Sequence, residues 1–453
     1  MGLSLEGLQT KLTTTTIQIQ VVQEHSYIQL ANALNWQTIY ELVEEDLKKS
    51  TCTKLWWVGR QLNVRTHLAT FILQHLTKMT DRQTEEMIVG NAVYQVFCGK
   101  SIIEKWHCPD HTKIEKFRNR ISTSTHQKLV SYVVTVAGDR GFADPSKMDV
   151  DSTVQEAAMA YPSDAHLLTK LAYKCKKVLA YVKNALPDAK SLDIDLKSIK
   201  KKAKEYFFMG KNKTKEIKRK VFGELYDIVK KEIVPTVDEC MKLSEQQLQE
   251  MPWNIRRALE QVRNHAQKYL LDVAHFVKHN TVKTGKILSF QYLEVACIAK
   301  GKVGKDYEFG RVYQLGRIGG NFLLVLPSTS VRQDDKSSLI PMVKEHQKIF
   351  GENTLTSLGT DKGYYTKTNT DTLSPQIKEL GIQCPGNVRK QHPIPQALKD
   401  RRAGIEPLIG HVKKFGLAKS KAKSDQTTLA SGYRSVLGFN LHQLTRHLSG
   451  KVK

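Results

Sequence analysis

The 453-residue sequence has no apolar run near the roughly 18 residues of a membrane span, and its strongly apolar stretches, such as 322–326, are strand-sized. No transmembrane helix is expected. The opening residues, MGLSLEGLQT, lack the basic-then-apolar order of a secretory signal. None of the seven cysteines (Cys52, Cys98, Cys108, Cys175, Cys240, Cys297 and Cys384) forms a Cys-x-x-Cys pair, and their number is odd. This argues against a disulfide framework and for free thiols in a reducing compartment. His107, Cys108 and His111 are close in sequence, but their spacing matches no usual zinc site. Acidic residues are scarce: 45 Asp and Glu face 70 Lys and Arg, a net charge of +25. A chain this basic repels itself without a polyanion. Nucleic acid is expected ahead of an anionic membrane, because neither a basic amphipathic helix nor a lipidation signal is evident.

What is present first is helix. Stretches 28–47 and 67–76 carry apolar residues at helical spacing. A Ser or Thr followed three residues later by Glu or Gln marks three helix starts: Thr80 with Gln83, Thr112 with Glu115, and Ser124 with Gln127. Pro109 and Asp110 suit a turn into a helix carrying Phe117, Arg118 and Arg120. Two capped helices with arginines on the second fit a helix-turn-helix DNA reader near 80–121, and fit a plain helical bundle as well. A strand over 148–154 follows, with Asp149, Asp151 and Thr153 on one face. Asp164 is expected to cap the next helix. From about 165 to 279 the pattern stays helical, with Leu168, Leu171, Cys175, Val178 and Val182 in one stripe. Its lysine run, including Lys200, Lys201, Lys202 and Lys204, is either a solvated face or one that tracks phosphates.

Strand signals return at 287–290, 307–315 and 322–326, the last two separated by Gly319-Gly320-Asn321 as in an antiparallel hairpin. Then come a helix over 338–350, a strand over 354–360 delivering Asp361 into a glycine turn, a helix over 371–380, a strand over 382–384 and a helix around Glu406. A basic tail ends in a helix over 437–448. This order suits an α/β fold: a mixed five-stranded sheet flanked by helices, with an all-α N-terminal domain and a long α-helical insertion after the first core strand. The expected boundaries are a helical DNA-binding domain at 1–130, core at 131–168, insertion at 169–285, core again at 286–415, and the basic tail at 416–453.

Phosphoryl transfer on DNA needs an activated attacking oxygen and a stabilised leaving oxygen, which two magnesium ions roughly 4 Å apart supply. Magnesium takes hard oxygen ligands, so carboxylates are required. Asp151 in a strand, Asp361 at a strand end and Glu406 on a helix occupy suitable positions. Simpler readings stay open for each: Asp361 before Lys362-Gly363 opens a turn, and Glu406 caps a helix begun by Pro407. Arg402 and Lys413, four before and seven after Glu406, share its face on a helix.

Several blocks occur in order: Pro109-Asp110-His111-Thr112-Lys113-Ile114, Val150-Asp151-Ser152-Thr153-Val154, Tyr161-Pro162-Ser163-Asp164, Asp361-Lys362-Gly363-Tyr364-Tyr365, and Arg401-Arg402-Ala403-Gly404-Ile405-Glu406-Pro407 through Lys413. Together they resemble the DDE transposases of bacterial insertion sequences, which have a ribonuclease-H-like core. The resemblance implies that Asp151, Asp361 and Glu406 are the catalytic, metal-binding triad, holding two Mg2+ ions for which Mn2+ substitutes. It implies that Arg402 and Lys413 are the basic residues of the glutamate signature. Lys399 stands where that signature often has tyrosine. These three, with Arg118 and Arg120, are the expected DNA contacts. It further implies double-stranded DNA as partner (element ends and target), terminal inverted repeats read by the N-terminal helices, a homodimer in the synaptic complex and a cytoplasmic, nucleoid-associated bacterial protein. The alternative is a catalytically inactive, sequence-specific DNA-binding protein derived from such an enzyme.

Overall fold

The computed structural model describes residues 21–49, 63–100, 108–209, 214–302, 305–327, 330, 332–384, 386, 394–422 and 424–451; Cys52 and His107 lie outside them. The apolar spacing over 28–47 folds as two helices, α1 (Ser26–Ala33) and α2 (Trp36–Lys49). The Asn35 side-chain oxygen accepts from the N–H groups of Gln37 and Thr38 and restarts the helix there. Next come α3 (Val64–Thr77), α4 (Asp81–Gly90), α5 (Ala92–Phe97), α6 (His111–Arg120) and α7 (Thr123–Asp139). Thr80 and Gln83 form the expected reciprocal cap on α4. The other two starts are corrected: Asp110 caps α6 and Ser122 caps α7, not Thr112 and Ser124. Polar residues crowd the first turn of a helix, so a matching spacing also arises just inside the true cap.

Among the described residues the sheet has six strands, not five: β1 (Asp144–Glu156), β2 (Ala296–Lys302), β3 (Lys305–Gly319), β4 (Phe322–Val325), β5 (Ser357–Thr360) and β6 (Glu379–Ile382). β3 pairs antiparallel with β1 on one side and with both β2 and β4 on the other. β5 lies parallel to β1, and β6 parallel to β5. The stretch 287–290 is not a strand. Ile287 and Phe290 instead fill the core of the helical insertion, since a short apolar run does not declare its partner. The last strand begins at Glu379 rather than at 382, and the helix before it is α14 (Lys367–Leu373). An edge strand pairs through its backbone, so its polar first residue gave no alternating signal.

The insertion comprises α8 (Asp164–Ala185), α9 (Leu196–Phe208), α10 (Lys215–Lys242), α11 (Glu245–Gln249) and α12 (Trp253–His279), packed around their own core. Ser163, not Asp164, caps α8. Asp164 takes the Lys286 ammonium at 2.5 Å and the Tyr269 hydroxyl at 3.2 Å, tying together the two ends of the insertion. The remaining helices are α13 (Asp335–Phe350), α14, α15 (Gln396–Ala403), α16 (Ile405–Val412) and α17 (Asp425–Leu448).

One continuous core joins N-terminal helices, sheet and C-terminus through residues such as Leu30, Phe71, Val134, Val150, Leu323 and Phe439. α17 is longer than the 437–448 expected and lies within that core. Its buried Asn440 donates to the Leu323 carbonyl at 2.8 Å and accepts from the Leu323 N–H at 3.0 Å. The helix thereby satisfies backbone groups that β4 would otherwise leave unpaired at the sheet edge. Among the described residues, no helix is long and apolar enough to cross a membrane.

Candidate active site

Register brings the first two carboxylates together. β1 and β5 run parallel with Val150 opposite Thr360. Asp151 and Asp361 are each the next residue, so they emerge side by side where the short ladder ends. In a parallel α/β sheet, the carboxyl ends of strands are where loops converge on ligands. Asp361 leaves β5 directly into a 3-10 turn, Lys362–Tyr364, and its Oδ1 accepts from the Gly363 N–H at 2.8 Å. The simple reading of Asp361 as a turn former is therefore correct as far as Oδ1 goes; Oδ2 takes no part in that turn. Glu406 lies in the first turn of α16, and the cap is Gly404.

Arg402 joins all three. Its Nη2 lies 3.2 Å from Asp151 Oδ2 and 3.9 Å from Asp361 Oδ2, and its Nη1 lies 3.3 Å from Glu406 Oε1. Arg402 and Glu406 sit on separate helices, α15 and α16, because the chain breaks at Gly404. Their side chains still meet four residues apart. Arg402 Nε is buried and has no hydrogen-bond partner among the described residues. One guanidinium thus stands among the carboxylates with a donor unused.

Burial pushes the Asp151 carboxyl up to about 6, with Asp361 and Asp335 adding to the push and the Ser152 N–H and Arg402 opposing it. The folded chain holds this proton more tightly than the unfolded chain does. Stability is therefore lost as pH rises from about 4 to about 6, by on the order of 2–3 kcal/mol. Asp151→Asn removes that cost while keeping an acceptor for Ser152 N–H. Without divalent ions, the variant is expected to melt above the wild type at pH 8 and to match it near pH 4. Equal melting at pH 8 would show that Asp151 carries no such burden.

The sequence reading missed the groups that aim these side chains. Arg401, next to Arg402, points into the sheet. Its Nε donates to Asp149 Oδ1 at 3.0 Å, Nη1 to Ser357 Oγ at 2.6 Å and Nη2 to the Met148 carbonyl at 3.3 Å. Asp149 is 3% exposed, and Arg317 Nη1 approaches its other oxygen at 3.7 Å. Burial raises the Asp149 carboxyl, and Arg401 foremost pulls it back. This ion pair docks α15 on β1 and β5. Gly359 permits it, since a Cβ there would lie 2.5 Å from Asp149 Oδ1. Asp335 and Tyr364 also border the site, held by Gln314 of β3. The identical dipeptide Arg401-Arg402 hid two opposite roles, and Gln314 and Asp335 carry no spacing signal at all.

The other expected DNA contacts are scattered. Lys399 is half-buried on α15, and Lys413 caps the C-terminal end of α16, half-buried as well. Arg118 faces inward, where it pairs with Asp81 and donates to Gln74 at 3.1 Å, fastening α6 to α4 and α3. Burial lowers the Arg120 guanidinium.

The donor set suits a hard divalent cation, since three carboxylates already converge on a positive group. Among the described residues, however, no three His, Cys, Asp or Glu side chains are grouped so as to hold a metal ion. Arg402 occupies the place between them.

Residues 16–120 match the model of a family described as "Transposase domain (DUF772)". That match reaches the end of α6 and includes none of the three carboxylates. An uncharacterized protein, ORF8 in the nfe locus of Rhizobium meliloti, is 31% identical over 117 residues, which are 25% of this chain and 56% of that protein. The chain thus spans little more than half the length of this curated relative. No solved structure matches. These matches support reading the chain as a transposase-related protein.

Proposed function

We propose that the chain is a DDE-type DNA transposase with a ribonuclease-H-like core, in which Asp151, Asp361 and Glu406 form the catalytic set. The observation that carries this reading is their convergence on Arg402 from a strand, a strand end and a helix. The sheet supports it too: β1 lies between an antiparallel β3, which also pairs with β2 and β4, and the parallel strands β5 and β6, in the order β2-β3-β1-β5-β6.

Asp151, Asp361 and Glu406 would hold Mg2+, which when bound supplies a Lewis acid for an attacking water or 3′-hydroxyl and for the leaving oxygen. Arg402 is released from the carboxylates as their charge is otherwise met, and its planar fork then pairs with a phosphate oxygen beside the cut. Lys399 on α15 and Lys413 at the end of α16 would add positive charge toward the DNA backbone. The net charge of +25 holds double-stranded DNA without regard to sequence, so affinity falls steeply with salt. Two copies of the chain bring two element ends together, cut them and join each freed 3′-hydroxyl to target DNA.

A second reading has one observation in its favour. Arg402 already pairs with the three carboxylates, and no metal-holding group is preformed among the described residues. This fits an inactive, sequence-specific DNA-binding descendant. The test is incubation of the chain with duplexes carrying the inverted repeats that flank its gene, in Mg2+ and in chelator. Nicked ends with 3′-hydroxyls and joined products, in Mg2+ alone, are expected. Tight binding to the repeats with no cut in Mg2+ or Mn2+ would leave the second reading standing.

A further inference from the structure

We propose that the paired outer faces of α8 and α9 form a binding surface for single-stranded DNA, on which lysines follow the phosphates and exposed rings stack on unpaired bases. The proposal rests on the reading of DNA as the partner. It goes beyond that reading by giving the helical insertion a task and naming the strand form it holds, and it does not depend on the carboxylates.

On α8, Lys170, Tyr173, Lys177 and Tyr181 follow one another three or four residues apart, so they stand on one face of the helix, and all four are exposed. On α9, Lys200, Lys204 and Phe207 form an exposed row in the same way. Two contacts bring the rows together. The Lys200 ammonium lies over the Tyr173 ring at 4.9 Å, and the His166 and Phe207 rings pack with their centres 4.3 Å apart. The start of α8 therefore meets the end of α9, and the two helices run antiparallel with their rows side by side. From Lys170 to Tyr181 the α8 row spans about 16 Å at the helical rise.

Charge and rings both argue for an occupant. α8 holds one acid, Asp164, which takes the Lys286 ammonium, and α9 holds one, Glu205, which takes that of Lys202. Lys170, Lys177, Lys200 and Lys204 make no ion pair among the described residues. A solvated lysine face would account for that charge, but not for the rings. Of the seven large aromatic side chains exposed among the described residues, five lie on α8, on α9 or on the link before α8. Phe208 is 83% exposed and Tyr161 70%. A ring in this setting gains a partner from a base only when that base is unstacked. A duplex keeps its base faces covered and offers such a surface mainly its phosphates. Cations alternating with rings along one helix therefore suit a single strand. Tyr161, between β1 and α8, packs edge-on against Phe309 of β3 with ring centres 5.2 Å apart, so the surface starts where the insertion joins the sheet.

The experiment is fluorescence anisotropy of the whole chain, in chelator, with labelled oligothymidine and with a labelled duplex of arbitrary sequence. It compares the wild type with the double variants Tyr173→Leu/Tyr181→Leu and Lys170→Gln/Lys177→Gln. All four side chains are exposed, and a thermal melt checks that each variant folds. The ring variant is expected to bind oligothymidine at least fivefold more weakly and the duplex as the wild type does. The lysine variant is expected to bind oligothymidine more weakly, with a salt slope shallower by about 1.4. A ring variant that keeps wild-type affinity for oligothymidine, or that loses strand and duplex binding equally, would overturn the single-strand surface. A wild type that binds the duplex alone would overturn it too and leave the transposase reading standing. A wild type that binds neither would overturn both.

Discussion

Asp361→Asn is expected to lower Mg2+-dependent strand cleavage by about 1,000-fold, ~4 kcal/mol of transition-state stabilisation, while leaving the fold intact. The structure separates the two roles of this side chain. Its Oδ1 accepts from the Gly363 N–H and shapes the turn, and an asparagine oxygen does the same. Its Oδ2 carries the charge, and its nearest cation is Arg402 at 3.9 Å, too far for a hydrogen bond to be lost. An exposed-edge ion pair of that length contributes little to stability. The substitution therefore removes charge from the place where charge is needed and almost nothing else. Single-turnover cleavage of a pre-bound element end measures the effect, and a thermal melt in chelator serves as control. A variant that cuts at the wild-type rate would end the assignment of Asp361.

The second large effect concerns stability. Arg401→Ala is expected to destabilise the chain by roughly 3–5 kcal/mol, because it leaves a buried carboxylate without its main partner. Asp149 is 3% exposed and would retain only Arg317, at 3.7 Å. The Ser357 hydroxyl and Met148 carbonyl would lose a donor as well. α15 would come away from β1 and β5, and with it the adjacent Arg402. Activity should therefore fall even at temperatures where the chain stays folded. Arg401→Lys should recover little, since an ammonium cannot reach carboxylate, hydroxyl and carbonyl with one planar fork. Replacing both partners, Arg401→Met with Asp149→Leu, should recover much of the stability. Denaturant midpoints for the three variants and the wild type measure this. An Arg401→Ala midpoint within error of the wild type would show that the pair contributes nothing.

Arg401 and Arg402 also show where sequence reading stops. On the sequence they are neighbours of one type, four and five residues before a glutamate. In the structure Arg401 is spent inside the sheet and Arg402 reaches the carboxylates. Nothing in their spacing separates them, because the choice depends on which way α15 lies across β1 and β5, and Asp149 of β1 is 252 residues away in the chain. Arg118 makes the same point. An arginine on a capped helix suggested a DNA contact, and its partner Asp81 turned it inward.

What the sequence determined by itself is local chemistry. Helical spacing, the Thr80 cap and the glycine-rich turn between β3 and β4 are written in neighbouring residues, where the backbone's own hydrogen-bonding needs decide the outcome. The basic balance and the absence of a long apolar run are likewise properties of composition. Tertiary structure alone decided pairing. It placed Ile287 and Phe290 in a helical core rather than a strand, and drew β6 from a polar start. It buried α17 against the sheet edge and set Val150 opposite Thr360 so that Asp151 and Asp361 emerge together. It also placed Gln314 and Asp335 beside them. Each of these rests on contacts between residues far apart in the chain, whose side chains acquire a partner only when burial leaves them no water to bond with.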